Sequence, residues 1–240
     1  MTSMNEWAHR ALGIAFISGC MLFASTAQAH NVWLEPDAQG GYLIQFGGHE
    51  GKLESFDPAK LQSVTAYDLR GREIETKVEQ APTGLRVLPA PKAAMIAVQL
   101  DNGYFSGPAS GVMKNVPMDQ NPGAERGVHA LKFHKTIIAW NGLTQRNLGQ
   151  QFEVTPLQGK TPHAGDWLEL KVQLNGQSLQ GARVSVGEKG APAISDAKGL
   201  VKVQVQKGAN YIQAIFRQPV EGDPKTTQRS YEALVSFAAH

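Results

Sequence analysis

The chain has 240 residues, 23 of them Lys or Arg and 21 Asp or Glu, for a formal charge of +2. Acids and bases are interspersed, which leaves no basic stripe for nucleic acid or for an anionic membrane surface. The single cysteine, Cys20, excludes an intrachain disulfide, so the fold has to rest on its apolar core.

In chain order the first feature is an export leader. Arg10 is a short basic flank, "ALGIAFISGCMLFAS" (11–25) is the apolar run, and "AQA" (27–29) supplies the small residues a signal peptidase accepts. The run is too short and too weakly flanked to anchor as a membrane span, and no later segment is apolar for long enough. The expectation is a signal peptide over 1–29, cleaved after Ala29, and a soluble product with no direct membrane insertion. The alternative is a lipoprotein processed and anchored at Cys20, since "ISGC" (17–20) has the look of a lipidation signal.

Cleavage after Ala29 makes His30 the first residue of a chain without cysteine, so any metal site has to be built from nitrogen and oxygen donors. It also frees the α-amine of His30 beside its own imidazole, and the two nitrogens can bind one ion as a chelate. The amine ordinarily titrates near 7.7 to 8.0, so it is deprotonated at little cost close to neutral pH. The bland reading of His30 is a frayed chain end. Against it, Val32 and Leu34 alternate with Trp33, which predicts a strand almost at once.

Period-two alternation bounded by Gly, Pro, Asp or Asn continues through "GYLIQFGG" (41–48), "LQSVTAYDL" (61–69), "GLRVLPA" (84–90) and "AAMIAVQL" (93–100). A second cluster of strands is predicted over 151–157, 167–176, 182–188, 199–208, 210–218 and 231–238. Long amphipathic helices are absent. The fold class is therefore all-β, as two β-sandwich domains in series. The N-terminal sandwich spans 30–101 and the C-terminal one 150–240. Between them, 102–149 is a connecting segment with a long Gly/Pro-rich loop and a strand that packs on the first domain. A loop of that length is either a linker or a functional excursion, and its aromatic and Met content favours packing as much as disorder.

Histidine is the informative residue type, since the chain carries no GxSxG, HExxH or phosphate-binding loop motif. The expectation is a protein that is not an enzyme. His49 lies in "GGHEG" (47–51), where glycines let the backbone turn tightly and present a ligand, or simply an exposed turn histidine. His129 and His134 are five apart in "GVHALKFHKTIIAW" (127–140), which puts them on opposite faces of a strand, so only one of them can join a given site. His163 sits in a Pro/Gly turn and His240 ends the chain, and neither points to chemistry.

Two resemblances add to this reading. Residues 174–216, with turns at Asn175-Gly176 and Asp196–Gly199, resemble the carboxypeptidase-regulatory or transthyretin-like sandwich repeat, an immunoglobulin-like module found as a spacer or binding unit. "AHNVWLEPD" directly after a leader resembles the start of the exported DUF4198 family, and "NGYFSGPASGVMKNVPMDQNPGA", "HALKFHKTI" and "GQSLQGARVSV" fall where that family has its loop, strand and closing sandwich. The resemblance implies a periplasmic protein associated with nickel or cobalt uptake, with His30 as a metal ligand and a membrane metal transporter as partner. His49 and His129 are added on local chemistry. Phe105 stands where a Trp-rich segment is usual and no second histidine lies close to His30, which keeps copper and zinc as alternative ions. Two other readings stay open: a copper enzyme in the manner of lytic polysaccharide monooxygenases, which also chelate through an N-terminal histidine, and a metal-free interaction module.

Overall fold

The computed structural model describes residues 30–48 and 52–240. The first half contains β1 (Asn31–Pro36), β2 (Tyr42–Gly47), β3 (Leu61–Asp68), β4 (Glu73–Ile74), β5 (Thr76–Ala81), β6 (Gly84–Pro89), β7 (Ala93–Gly107) and β8 (Arg126–Ile137). The second half contains β9 (Phe152–Pro156), β10 (Trp167–Leu174), β11 (Gln177–Ser178), β12 (Arg183–Val186), β13 (Ala193–Ile194), β14 (Leu200–Gln204), β15 (Gly208–Pro219) and β16 (Gln228–Ala239). Among the described residues the helical elements are short 3-10 turns, so the all-β expectation holds.

The strands build three sheets. One, in the order β1-β2-β6-β5, lies on one side. A second is made of β9, β10, β11 and β14. Between them runs an eight-stranded sheet in the order β13-β12-β15-β16-β8-β7-β3-β4. The middle sheet belongs to both halves of the chain. Strand β8 is paired antiparallel with β7 on one edge and parallel with β16 on the other, from Gln228↔Val128 to Ser236↔Thr136. The boundary read at residues 101 and 102 thus falls inside β7, and the segment 102–149 contributes a central strand that joins the two halves. Hydrophobic alternation marks a buried strand but does not say which edges it pairs, so this sharing is a tertiary result.

Period two on the shared sheet fills a different core on each face. Val32, Leu34, Ile44 and Phe46 of the β1-β2 hairpin meet Ile96, Val98 and Leu100 of β7. On the other face, Leu131 and Phe133 of β8 and Tyr231, Ala233 and Val235 of β16 meet Leu168, Leu170 and Val172 of β10. Each fully buried side chain of this size contributes roughly 1.5–3 kcal/mol. Both faces also bury an ion pair: Lys132 with Glu232 on the β1 side, and Lys135 with Glu153 at 2.5 Å on the β10 side.

The segment after β7 is tied down. Ser106 and Lys114 exchange two backbone hydrogen bonds of 2.9 and 2.8 Å, Asn121 donates to Ser106, and the Met118 N–H donates to the Lys225 carbonyl at 3.0 Å.

Candidate functional site

His30 stands at the open end of the β1-β2 hairpin, next to the pair Asn31↔Gly47. Gly47 has φ +139, and a Cβ there would lie 2.2 Å from the Lys52 carbonyl oxygen, so only glycine lets the returning chain cross this close. The return is fixed by the Gly48 N–H donating to Lys52 O at 3.3 Å and the Glu54 N–H donating to Phe46 O at 2.8 Å. It places the Glu54 carboxylate against His30, with Nε2 to Oε1 at 3.1 Å. The imidazole also stacks on Phe46, with ring centres 5.6 Å apart and planes 10° from parallel. Both side chains keep solvent access, at 28 and 36% of their surface. An imidazole and a carboxylate suit a divalent first-row ion. His49 and Glu50 lie outside the described residues.

His129 is held elsewhere. Its Nε2 is 2.9 Å from Asp101 Oδ1, and its ring stacks on Tyr104 at 4.2 Å. Asp101 sits at a β-bulge in β7 and also accepts the Gly103 N–H at 2.9 Å. The hydrogen bond to His129, and after it the Gly103 amide, hold the Asp101 carboxyl below the usual carboxylate range against the opposing effect of burial.

The alternation of β8 separates His129 from His30. The Leu34 N–H of β1 donates to His134 Nε2 at 3.2 Å, so the β1 sheet covers the face of β8 that carries His134. His129 has the opposite parity, that of Leu131 and Phe133, whose side chains fill the other core. Among the described residues, no three His, Cys, Asp or Glu side chains converge as a metal group, so the His30–Glu54 and His129–Asp101 pairs stay separate. His134 is a structural histidine: fully buried, with Nδ1 donating to the Leu234 carbonyl at 2.8 Å and Nε2 accepting from Leu34 N–H and the Thr136 hydroxyl. Burial pushes its pKa down to about 3.

A cleft of about 720 Å³ adjoins the His30 end of β1. One wall is β1, through Asn31, Trp33 and Glu35, together with Gly48; the opposite wall is the turn after β12, through Glu188 and Lys189. Its floor is the part of the shared sheet that the β1 sheet leaves uncovered: Tyr211 and Gln213 of β15 and Leu234 of β16. Glu35 is braced by Trp33 Nε1 at 3.0 Å and by Gln45 Nε2 at 3.3 Å. Burial, and after it the nearby Glu35 carboxylate, pushes the Tyr211 phenol up.

Neither Glu54 nor this cleft is visible in the sequence. Glu54 is one acid among many until the chain doubles back on Phe46, and the cleft walls come from residues 140 or more positions apart. The one signal was the glycine pair at 47 and 48, which marks where the chain turns.

A family model described as a domain of unknown function, DUF4198, matches residues 27–218. A protein of Haemophilus influenzae with the name "Uncharacterized protein" is 30% identical over 220 residues, covering 91% of this chain and 94% of its own length. No solved structure matches the chain. The family match takes in both walls of the cleft and the His30 pair, and the chain belongs to the DUF4198 family.

Proposed function

We propose that the protein is an exported, non-enzymatic binding protein for a late first-row divalent metal, nickel or cobalt, which it buffers or delivers to a membrane uptake system. The observation that carries this reading is the contact between His30 Nε2 and Glu54 Oε1. Cleavage after Ala29 gives His30 an α-amine, and the ring nitrogen on the same side as that amine is Nδ1. A chelate through the amine and Nδ1 has Nε2–H pointing outward, where a carboxylate partner fixes the tautomer and raises the basicity of the ring. Glu54 fits that role as a positioning residue. His49, directly after Gly48 in the chain, is the next candidate ligand, and the C-terminal transthyretin-like half supplies the far wall of the cleft.

The proposed donor set, the His30 amine and ring with His49 next, fits nickel and cobalt, which accept amine and imidazole ligands. When bound, the ion supplies nothing but its own cargo value; the chain's residues bind it, orient the ring and shield one side with Phe46.

The test compares chain beginning at His30 with chain carrying one extra N-terminal residue, both purified without an affinity tag. The extension removes the α-amine from His30 and keeps its ring. The expected result is a metal-dependent rise in melting temperature that shrinks in the extended chain. Absence of any metal-dependent shift or bound metal in the chain beginning at His30 would overturn the reading.

A further inference from the structure

We infer that the cleft between β1 and the turn after β12 is a receptor for an organic ammonium cation, held by the Glu35 carboxylate and the rings of Trp33 and Tyr211, with a quaternary ammonium as the best-fitting head group.

Period two along β1 builds one half of this site. Trp33 and Glu35 are two residues apart in the strand and share a face. Gln45 stands on the same face, opposite Trp33 in the β1-β2 ladder. The indole N–H of Trp33 donates to one oxygen of Glu35 at 3.0 Å, and the Gln45 side-chain amide donates to the other at 3.3 Å. Both donors are neutral, so they hold the carboxylate in place without supplying a countercharge. The other half is brought by the fold: Tyr211 of β15 enters the cleft floor from the far end of the chain. Its phenol is pushed up by burial and then by Glu35, which puts the ring within electrostatic reach of that carboxylate.

Sign, surface and size select the ligand. The lining carries the Glu35 and Glu188 carboxylates against the Lys189 ammonium, a negative balance in a concave site that focuses its field. Trp33 and Tyr211 add aromatic surface, and ring faces attract cations, indole most strongly. A quaternary ammonium has no N–H donors to satisfy and sheds its water cheaply against rings. A primary ammonium has three donors to place, and a bare hard cation asks for a shell of oxygens. The volume of about 720 Å³ falls within the roughly 300–1,000 Å³ typical of small organic ligands, with room for the substituent behind the head group.

This site is distinct from the His30 chelate. Glu35 lies five positions further along an extended chain, about 16 Å at a rise of about 3.3 Å per residue.

The experiment is calorimetric titration of the chain beginning at His30, in the presence of a metal chelator, with choline and with 3,3-dimethyl-1-butanol. The alcohol has the shape of choline with a carbon in place of the charged nitrogen. Choline is expected to bind at least about tenfold tighter than the alcohol. Glu35→Gln, which keeps the shape and removes the charge, should lower choline affinity about tenfold and leave the alcohol unchanged. Tyr211→Leu should lower choline affinity severalfold, and its part-exposed position keeps the test alive if Glu35→Gln disturbs the hairpin. Equal affinity for choline and the alcohol overturns the inference, as does an absence of choline binding at millimolar concentration or an unchanged choline affinity in both variants. The chain with one extra N-terminal residue should bind choline as well as the chain beginning at His30. Metal binding without choline binding therefore overturns this inference alone, and choline binding without metal binding overturns the His30 reading alone.

Discussion

The main-chain N–H of Leu34 donates to Nε2 of His134 at 3.2 Å, joining the outer edge of β1 to the shared sheet beneath it. The same ring donates through Nδ1 to the Leu234 carbonyl at 2.8 Å, so one imidazole holds the hairpin that carries His30 and binds β8 to β16. An edge strand normally leaves such an amide to solvent. Here a buried neutral histidine accepts it.

That arrangement predicts a pH dependence. His134 has its pKa lowered to about 3 by burial, against an ordinary value of 6.5. Below pH 6.5 the unfolded chain takes up a proton that the folded chain refuses, so stability is fully present above 6.5 and is lost as pH falls toward 3. The slope is on the order of 1 kcal/mol per pH unit. Urea midpoints measured between pH 7 and 4.5 should fall in the wild type and stay flatter in His134→Leu, which starts lower by about 1–3 kcal/mol for the amide left unpaired.

Glu54 is predicted to act on the metal through the ring of His30. Glu54→Gln keeps the shape and a hydrogen-bonding group and removes the charge. Metal affinity should fall about 10–100-fold, with the melting temperature of the metal-free chain little changed because both side chains are part-exposed. Equal affinity in the two proteins, measured by competition with a chromogenic chelator, would count against the positioning role.

His129 lies on the other face of the shared sheet, and His129→Ala should leave nickel affinity within about twofold. Its effect belongs to Asp101. Without the ring the Asp101 carboxyl, now held low chiefly by His129, should titrate closer to its ordinary value. A carboxylate with a lowered pKa contributes stability that is present above its unfolded pKa of about 3.9 and is lost as pH falls through the folded value. The carboxyl carbon shift followed by NMR reads the change directly.

The ion pair of Lys135 and Glu153 is a fourth target. Glu153 also accepts the Leu148 and Gly149 amides at 2.6 and 3.1 Å, and Lys135 donates to the Val154 carbonyl at 3.2 Å. Burial pushes the Lys135 ammonium down while Glu153 pulls it up. Lys135→Met should cost about 3–5 kcal/mol because it leaves a buried carboxylate without its countercharge. Removing both partners together should cost less than the sum of the single changes, as a double-mutant cycle on unfolding free energies would show.

Much of the fold was legible in the residues. The alternation in "LELKVQL" gives β10 with Leu168, Leu170 and Val172 on one face, and the same reading finds β2, β3, β6, β14, β15 and β16. The parity of His129 and His134 already put them on opposite faces, since side chains in a strand alternate. What period two could not reveal was partnership. "ALKFHKTI" marks β8 as a strand, yet its pairing with β16, about 100 residues away, depends on chain closure and on a parallel register that leaves no local trace.

By itself, then, the sequence determined most of the strands, their buried faces and the glycine turn at 47–48. Only the tertiary structure decided that Glu54 meets His30, that His129 does not, and that a cleft opens between β1 and the turn after β12. The reason is physical: alternation and turn chemistry are short-range properties, encoded residue by residue, whereas a site is a meeting of distant side chains. That meeting is set by which sheet covers which face, through the summed packing of two cores rather than through any one motif.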